Sequence, residues 1–251
     1  MELVDGKNFR LSGGTREVTG FLASVRSVEE AMVAHKNGVD IIDLKEPERG
    51  ALGAVTPPVM REVVRKIDSE RLISATVGDL PCEPRLVAEK VREVAETGID
   101  LIKVGLFEPF HEQLEDMLWA ISRESTKGVI IVAFADRYPG DEIIDLVADT
   151  GLAGIMLDTA GKSLGSLCEI MTDQQIKRFI SRAKEHNLIT GLAGSLTKAD
   201  IPSLLQYKPD YLGFRGALCQ GNQRKTDLDE RLVQEIRELI QLEVERYGAV
   251  A

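Results

Sequence analysis

Short runs of apolar residues alternate with amphipathic stretches along most of the chain. The apolar runs lie at residues 21–25, 40–45, 72–78, 101–106, 129–135, 154–159, 188–194 and 211–215. The clearest amphipathic stretches, which predict helices, are Glu29–Lys36, Pro84–Thr97, His111–Arg123, Thr172–His186 and Asp229–Tyr247. Strand signals that are each followed by a helical pattern predict an α/β fold, specifically a (β/α)8 TIM barrel. An open, doubly wound sheet is the alternative, because periodicity alone does not show that a sheet closes.

Composition and charge narrow the class of protein. The chain has 251 residues, and we expect residues 21–251 to form a single (β/α)8 barrel domain after an N-terminal extension of residues 1–20. A net charge of −10 argues against a nucleic-acid partner, because binding to a phosphate backbone needs a basic surface. The longest strongly apolar run, residues 128–135, is too short to span a bilayer, and no signal-peptide pattern opens the sequence. Three widely spaced cysteines without C-x-x-C pairs indicate neither disulfides nor a zinc site, so we expect a cytoplasmic protein without a metal.

A short sequence recurs at the foot of the predicted strands. Asn37-Gly38-Val39-Asp40 resembles Thr97-Gly98-Ile99-Asp100, and a looser third copy surrounds Gly151. In each copy the glycine is placed to end a helix in the left-handed conformation just before a strand begins. The repeat therefore supports the alternating architecture.

Charged side chains recur where the predicted strands end, which in a β/α barrel is the active-site mouth. In chain order, the polar strand-end residues are Ser24, Arg26, Asp43, Lys45, Thr76, Asp79, Lys103, Asp136, Arg137, Asp158, Lys162, Ser195 and Arg215. Lys103 lies within an apolar strand, where a lysine is rare unless it is paired. Asp43 and Lys45 are two residues apart on one strand, so both side chains point to the same face. The catalytic candidates are Asp43, Lys45, Lys103 and Asp158.

Lysines held close together favour one kind of chemistry. Mutual repulsion and desolvation both lower a lysine pKa, and a neutral amine can attack a carbonyl to form a Schiff base. Neighbouring carboxylates such as Asp43, which lies on the same face as Lys45, and Asp158 could then shuttle protons. The other interpretation is a static network in which each aspartate only neutralises a lysine. The residues leave both interpretations open.

The seventh and eighth predicted strands end in glycine-rich loops. In barrels these two loops often bind phosphate through backbone N–H groups. Gly194, Ser195 and Gly216 would supply that backbone, and Arg215 would add a bidentate side-chain contact. Lys162 follows the sixth strand in a solvated loop, where a lysine keeps its charge and is suited to phosphate.

Three motifs make the chain similar to a known enzyme family. They are Asp43-Leu44-Lys45-Glu46-Pro47 with Gly50-Ala51-Leu52-Gly53-Ala54, then Ile102-Lys103-Val104-Gly105, then Leu157-Asp158-Thr159-Ala160 with Lys162. In this order and spacing they resemble the (5-formylfuran-3-yl)methyl phosphate synthases of methanofuran biosynthesis. The likeness runs from residue 21 to residue 221, and the loop around Lys162 is more compact than the family pattern.

The resemblance implies a reaction and a set of roles. Two molecules of glyceraldehyde 3-phosphate would condense to one phosphorylated hydroxymethyl-furaldehyde with loss of phosphate and water. The enzyme would be a carbon–oxygen lyase acting on phosphates, and it would need no cofactor. Lys45 would form the Schiff base, while Lys103, Asp43 and Asp158 would manage protons. Position at a strand end alone leaves Lys45 and Lys103 both open as the nucleophile, and the resemblance favours Lys45.

Two other functions fit the same residues. A simpler Schiff-base aldolase acting on triose phosphates would release a sugar phosphate instead of a furan. A non-catalytic barrel would bind a phosphometabolite without turnover. The expected partner is a triose phosphate, with no nucleic acid and no membrane, and we expect the chain to assemble as a homo-oligomer.

Overall fold

Parallel strands close into a barrel in the computed structural model, which describes residues 18–161 and 165–248. The strands are β1 (Gly20–Val25), β2 (Ile41–Leu44), β3 (Leu72–Thr76), β4 (Leu101–Gly105), β5 (Gly128–Phe134), β6 (Gly154–Asp158), β7 (Ile189–Leu192) and β8 (Tyr211–Phe214). Each strand pairs with the next, and β8 closes the ring on β1 with Leu22 opposite Gly213. The predicted (β/α)8 barrel is confirmed, and the open sheet is excluded. Residues 1–17, which make up most of the predicted extension, lie outside the described part of the chain.

Helices follow the strands and cover the outside of the barrel. They are α1 (Val28–Lys36), α2 (Pro57–Ile67), α3 (Pro84–Ala95), α4 (Leu114–Glu124), α5 (Glu142–Asp149), α6 (Leu167–Ile170), α7 (Asp173–Glu185), α8 (Ile201–Leu205) and α9 (Glu230–Gly248). Proline at the first position starts α2 and α3, where its missing N–H costs no hydrogen bond. Helix α4 begins later than the predicted His111, because the Nδ1 of that residue accepts a hydrogen bond from Gln113 N in a preceding turn. In the part of the chain that is described, no helix has the length and apolar content needed to cross a membrane.

The apolar residues form two layers, one on each face of the sheet. Successive strand residues alternate between them, so Ile42 packs toward the helices while Ile41 points into the barrel. Inside the barrel, the Tyr211 ring lies so close to Gly191 that a Cβ on that glycine would come within 2.4 Å of the ring. Each large side chain buried in this way contributes roughly 1.5–3 kcal/mol. The lower part of the barrel is therefore a filled core, beneath the open space at its mouth.

An aspartate at the foot of a strand ties that strand to the one before it, at three places in the barrel. In each case the carboxylate accepts a hydrogen bond from a backbone N–H of the preceding strand. The pairs are Asp40 with Phe21, Asp100 with Ile73 and Asp210 with Thr190, at 2.9, 2.9 and 2.7 Å. Gly38 and Gly98, which precede two of these aspartates, have φ values of 70° and 93° as the repeat predicts. The recurring Gly-x-Asp sequence thus both ends a helix and sets the register of a strand.

Candidate active site

A cavity of about 500 Å³ opens at the carboxyl ends of the strands. It lies on the side of the barrel where the inward-facing residues are small, among them Ser24, Ala193 and Gly213. Across the barrel, Phe107 and Phe134 pack with their ring centroids 4.8 Å apart and occupy the corresponding space. The charged residues of the cavity lining are Lys45, Lys103, Asp158, Arg215, Arg224 and Lys225. This volume is in the range typical of small-molecule sites.

Asp43 and Lys103 form an ion pair inside the barrel. The Lys103 Nζ lies 2.6 Å from Asp43 Oδ1, and the two side chains are 3% and 0% exposed. Ser24 and Ser74 flank Asp43 on the neighbouring strands β1 and β3. Their hydroxyl groups donate to Oδ2 and Oδ1 of the carboxylate at 2.8 and 2.7 Å. Three donors therefore satisfy a buried carboxylate that would be costly to leave unpaired.

Lys45 and Asp158 form a second, looser pair. The Nζ of Lys45 lies 3.5 Å from Asp158 Oδ2, and Oδ1 accepts a hydrogen bond from the backbone N–H of Thr159 at 2.7 Å. The sequence offered both Asp43 and Asp158 as carboxylates near Lys45, and in the structure it is Asp158 that pairs with it while Asp43 pairs with Lys103. Two residues along a strand span roughly 6.6 Å, so Lys45 sits nearer the mouth and reaches β6, while Asp43 meets Lys103 on β4.

Burial changes the acidity of Lys103. Desolvation lowers the pKa of its ammonium group below the ordinary value of 10.5. The carboxylate of Asp43 opposes this shift, and the positive charge of Lys45 adds to it. The repulsion between closely placed lysines that the sequence predicted is thus present, although desolvation is the larger effect.

Two of the strand-end aspartates hold loops instead of lining the cavity. Asp79 accepts hydrogen bonds from Ala51 N and Leu52 N at 2.9 and 2.7 Å, in the loop that follows Lys45. Asp136 accepts hydrogen bonds from the backbone N–H groups of residues 160 and 161 at 2.7 and 3.1 Å, in the loop that follows Asp158. These carboxylates fix the loops that follow the two mouth residues.

Four of the five predicted phosphate-site residues line the cavity, namely Gly194, Ser195, Arg215 and Gly216. Gly194 has a φ of 110°, and a Cβ there would lie 2.8 Å from Thr159 Cγ2 and 3.0 Å from Thr159 N. The next residue, Ser195, also has a positive φ, of 52°. The chain therefore turns sharply after β7 and passes directly over the backbone that holds Asp158. The fifth predicted residue of this group, Lys162, lies outside the described residues.

Arg215 differs from its predicted role. Its guanidinium forms a buried ion pair with Glu30 on α1, with Nη1 2.5 Å and Nη2 3.1 Å from the two carboxylate oxygens. It also donates to the carbonyl oxygens of Ser24, Arg224 and Thr226 at 3.1, 2.8 and 2.8 Å. These contacts engage all five N–H donors of the group. The bidentate phosphate contact expected of Arg215 does not fit this geometry, because the fork already grips Glu30.

The sulfur and metal chemistry of the described part of the chain is limited. All three cysteines are free thiols. Burial raises the pKa of the Cys168 thiol to about 12, and it also raises the pKa values of Cys82 and Cys219. A thiol with a raised pKa is a poor nucleophile at neutral pH. Over residues 18–161 and 165–248, no group of three or more His, Cys, Asp or Glu side chains is arranged to hold a metal ion.

Sequence comparison identifies the family. The profile described as 4-HFC-P synthase matches residues 21–237. The chain belongs to the 4-HFC-P synthase family. Proteins named (5-formylfuran-3-yl)methyl phosphate synthase from Methanothermobacter thermautotrophicus and Methanosarcina acetivorans are 34% and 35% identical over 230 and 228 residues. These alignments cover 87% and 85% of this chain and 98% and 97% of the relatives. A Methylorubrum extorquens protein that carries the same name provisionally is 38% identical over 209 residues, or 83% of this chain and 86% of that protein.

Solved structures resemble this 4-HFC-P synthase family member in fold. Phosphoribosyl anthranilate isomerase from Thermus thermophilus superposes with a TM-score of 0.62 at 12% identity, covering 88% of this chain and 98% of that one. A structure named "Native KDPGal structure" has a TM-score of 0.60 at 14% identity, covering 90% and 96%. At such low identities the likeness concerns the barrel alone.

The sequence patterns did not predict two residues of the candidate site in this member of the 4-HFC-P synthase family. Ser74 belongs to the Asp43 network, and its signal was its place on the inward face of β3, two residues before Thr76. Arg224 lines the cavity from the loop after β8. Its signal was a basic pair, Arg224-Lys225, in an otherwise polar loop that follows a glycine-rich strand end. Both depend on which strands and loops become neighbours in space.

Proposed function

We propose that the chain is a (5-formylfuran-3-yl)methyl phosphate synthase that condenses two molecules of glyceraldehyde 3-phosphate through a lysine Schiff base. The observation that carries this proposal is the presence of two lysine–aspartate pairs, Lys103–Asp43 and Lys45–Asp158, beside one cavity. Membership of the 4-HFC-P synthase family and the names of its relatives support it. The enzyme would act as a carbon–oxygen lyase on a phosphate ester and would serve methanofuran biosynthesis.

Atom balance defines what the proposed site must do. Two trioses bring six carbons and two phosphates, and the furan product keeps all six carbons and one phosphate. One inorganic phosphate and two molecules of water therefore leave. One carbon–carbon bond forms, one carbon–oxygen bond to phosphate breaks, and the ring closes when a hydroxyl oxygen adds to a carbonyl carbon. No oxidant or reductant is required.

Lys45 would supply the reactive intermediate. Its neutral amine attacks the aldehyde carbon of one triose, and loss of water gives an imine. The protonated imine acidifies the adjacent C–H bond, so removal of that proton gives an enamine. In one triose the enamine electrons expel phosphate from the neighbouring carbon and leave an unsaturated aldehyde. The enamine carbon of the second triose, which keeps its phosphate, then attacks the terminal carbon of that aldehyde and forms the new carbon–carbon bond. Asp158, with its Oδ2 3.5 Å from Lys45 Nζ, would take and return these protons.

The geometry favours Lys45 over Lys103 as the nucleophile. Lys103 Nζ is held 2.6 Å from a carboxylate that two serines also fix, so it has little freedom to turn toward a substrate. Lys45 makes the longer contact and lies closer to the mouth. Lys103, whose pKa is lowered by burial, would give up its proton more readily than an exposed lysine. We therefore assign it the role of acid–base partner.

Phosphate binding would orient the two trioses. Gly194, Ser195 and Gly216 border the cavity on the β7 and β8 side, where backbone N–H groups can face an anion. Lys162 would add positive charge from the loop after β6. One phosphate must stay in the product and the other must depart, so the site has to hold two anions that experience different surroundings.

The test is incubation of the purified chain with glyceraldehyde 3-phosphate as the only substrate. We expect a conjugated furaldehyde absorption band to grow, with one inorganic phosphate released per furan and the product mass confirmed by mass spectrometry. Lys45→Met should abolish the band. Lys36→Met, on an exposed face of α1 where the side chain is 74% accessible, should leave it unchanged.

Other outcomes distinguish the alternatives. A new sugar phosphate without a furan band and without phosphate release would identify a simpler aldolase. Saturable binding of the triose phosphate with no turnover would identify a non-catalytic barrel. Either result would refute the synthase proposal.

A further inference from the structure

The loop between β8 and α9, residues 219–229, reaches across the mouth of the barrel. Its base is closed by an antiparallel bridge between Cys219 and Leu228. Its tip contacts the segment that follows β2, where Lys225 Nζ lies 2.9 Å from Glu48 Oε2. Arg224 donates from Nη2 to the carbonyl oxygens of Pro47 and Gly50. The tip is thus attached at a distance from the strand that carries it.

Arg215 is the internal support of this loop. Its Nε donates to the carbonyl oxygen of Arg224 and its Nη2 to that of Thr226, each at 2.8 Å. The opposite side of the same guanidinium is fixed by the buried carboxylate of Glu30. Arg215 therefore holds the backbone of Arg224 in a defined position.

The Arg224 guanidinium is only partly used by these contacts. Its Nη2 binds two carbonyl oxygens, whereas Nε and Nη1 have no acceptor within the described residues. The group is half-buried and lines the cavity together with Lys45 and Asp158. Burial lowers the pKa of Arg224, and the charge of Asp158 is the largest influence that opposes this shift. Three N–H donors therefore remain on the Nε and Nη1 atoms of a group that borders the cavity.

A bound anion would complete this arrangement. Among the described residues, no carboxylate lies within ion-pair distance of Arg224, although the chain carries a net charge of −10. The guanidinium fork matches the oxygens of a phosphate group and binds them through charge-assisted hydrogen bonds. The carbonyl oxygens of Pro47 and Gly50 hold Nη2 of Arg224 in place. The edge of the guanidinium formed by Nε and Nη1 is therefore already oriented.

We propose that Arg224 binds the phosphate group of a triose phosphate at the outer rim of the cavity. This inference rests on the proposed function for the identity of the ligand, and it deepens that function by naming a substrate-binding residue. Arg224 serves a phosphate on the β2 side of the mouth, separate from the glycine-rich backbone at the ends of β7 and β8. Arg215 is a positioning residue for Arg224 and does not touch the substrate.

Titration calorimetry with glycerol 3-phosphate tests the assignment. This compound carries the phosphate but has no carbonyl group, so it cannot form an imine or react. We expect Arg224→Gln to weaken its binding roughly 10- to 100-fold, the size expected for losing charge-assisted hydrogen bonds. Arg231→Gln removes the same charge from α9, where the side chain is 84% exposed, and should bind as the parent chain does. Equal affinity in the Arg224 and Arg231 variants would overturn the inference.

A second variant separates binding from folding. Arg224→Lys keeps the charge but loses the fork, so it should lie between the parent chain and Arg224→Gln in affinity. Thermal unfolding of both variants establishes that they are folded at the titration temperature. Should Arg224→Lys bind as weakly as Arg224→Gln while Arg231→Gln also loses affinity, a general charge effect would replace the proposed site.

Kinetics with glyceraldehyde 3-phosphate give an independent readout. A phosphate contact that persists into the transition state raises KM more than it lowers kcat. We expect that division for Arg224→Gln, and a loss confined to kcat would contradict the assignment. If no furan forms in the parent chain but glycerol 3-phosphate binding still depends on Arg224, the proposed function fails while the anion site stands.

Discussion

The Nζ of Lys103 and the Oδ1 of Asp43 lie 2.6 Å apart inside the barrel, in a contact almost closed to solvent. Ser24 and Ser74, on the strands to either side, donate to the same carboxylate. A charge in such a position is tolerated only while its partners remain. The same ion pair therefore contributes both to the stability of the barrel core and to the proposed chemistry at its mouth.

Removing one partner of this pair should destabilise the fold. We expect Lys103→Met to lower the free energy of unfolding by about 3–5 kcal/mol, because it leaves a buried carboxylate without its cation. The double variant Asp43→Asn with Lys103→Met should recover most of that loss. Urea denaturation of the single and double variants measures the coupling. Lys36→Met, which breaks an exposed pair with Glu230, serves as the control and should change stability by less than about 0.5 kcal/mol. A Lys103→Met variant as stable as the control would show that the buried pair contributes nothing.

The lowered pKa of Lys103 predicts a specific pH dependence of stability. In the unfolded chain Lys103 titrates at about 10.5, and in the folded chain it releases its proton at lower pH. Between these two pKa values the unfolded state binds more protons, so the free energy of unfolding should rise with pH, by at most roughly 1.4 kcal/mol per unit. Below the folded-state pKa this contribution has no slope. Urea denaturation across the alkaline range, relative to the Asp43→Asn, Lys103→Met double variant, isolates the effect. A difference that falls with increasing pH would refute the direction of the shift.

Reductive trapping should label Lys45. We expect borohydride added during turnover with glyceraldehyde 3-phosphate to convert the imine into a stable secondary amine. Peptide mass spectrometry should then find the added mass on the peptide that contains Lys45. The Lys45→Arg variant controls for non-specific reduction and should remain unlabelled. An adduct on Lys103, with none on Lys45, would exchange the two proposed roles.

The turn after β7 should be intolerant of a side chain. Gly194 and Gly151 both have positive φ, 110° and 72°, but a Cβ at Gly194 meets Thr159 whereas nothing lies within 4 Å of one at Gly151. We expect Gly151→Ala to cost about 1–2 kcal/mol of stability from backbone strain alone. Gly194→Ala should cost about 3 kcal/mol or more, because the clash adds to the strain. It should also reduce kcat, since it displaces the backbone N–H that orients Asp158. Equal losses in the two variants would show that the close approach to Thr159 is unimportant.

The fold was predictable because each strand and helix has a local signal. The alternation of apolar runs with amphipathic stretches depends only on neighbours in sequence, and the glycine before β2, β4 and β6 marks where a helix must stop. Closure of the barrel was not visible in any segment, because it depends on the pairing of β8 with β1 at opposite ends of the chain. The family motifs raised the expectation of a barrel, and the β1–β8 hydrogen bonds establish it.

The individual residues of the candidate site could be predicted from the sequence, but the pairs that they form could not. Strand ends identified Lys45, Lys103 and Asp158, which the structure brings to one cavity. Their partners were less evident, because Asp43 is closer to Lys45 in sequence but meets Lys103 across the barrel. The sequence predicted Arg215 as a phosphate ligand because nothing near it in the sequence indicated another partner. Its buried partner, Glu30, lies on α1, 185 positions earlier in the chain. Which side chains pair inside a barrel depends on how the strands tilt and on how far along the barrel axis each side chain lies. Neither property can be derived from a local sequence pattern.

The ion pair between Glu30 and Arg215 also bears on the order in which parts of the fold are completed during synthesis. During synthesis α1 leaves the ribosome long before β8, since the two residues are 185 positions apart in the chain. At roughly 5–20 residues per second, α1 waits about 10–40 s for its arginine. Until then the Glu30 carboxylate keeps the contacts that the nearby Arg26 makes with it, but it lacks the buried cation that Arg215 supplies in the folded barrel. The last strand to be made therefore completes the ion pairing of the first helix, and we expect a nascent chain that stops short of β8 to hold α1 less firmly against the sheet.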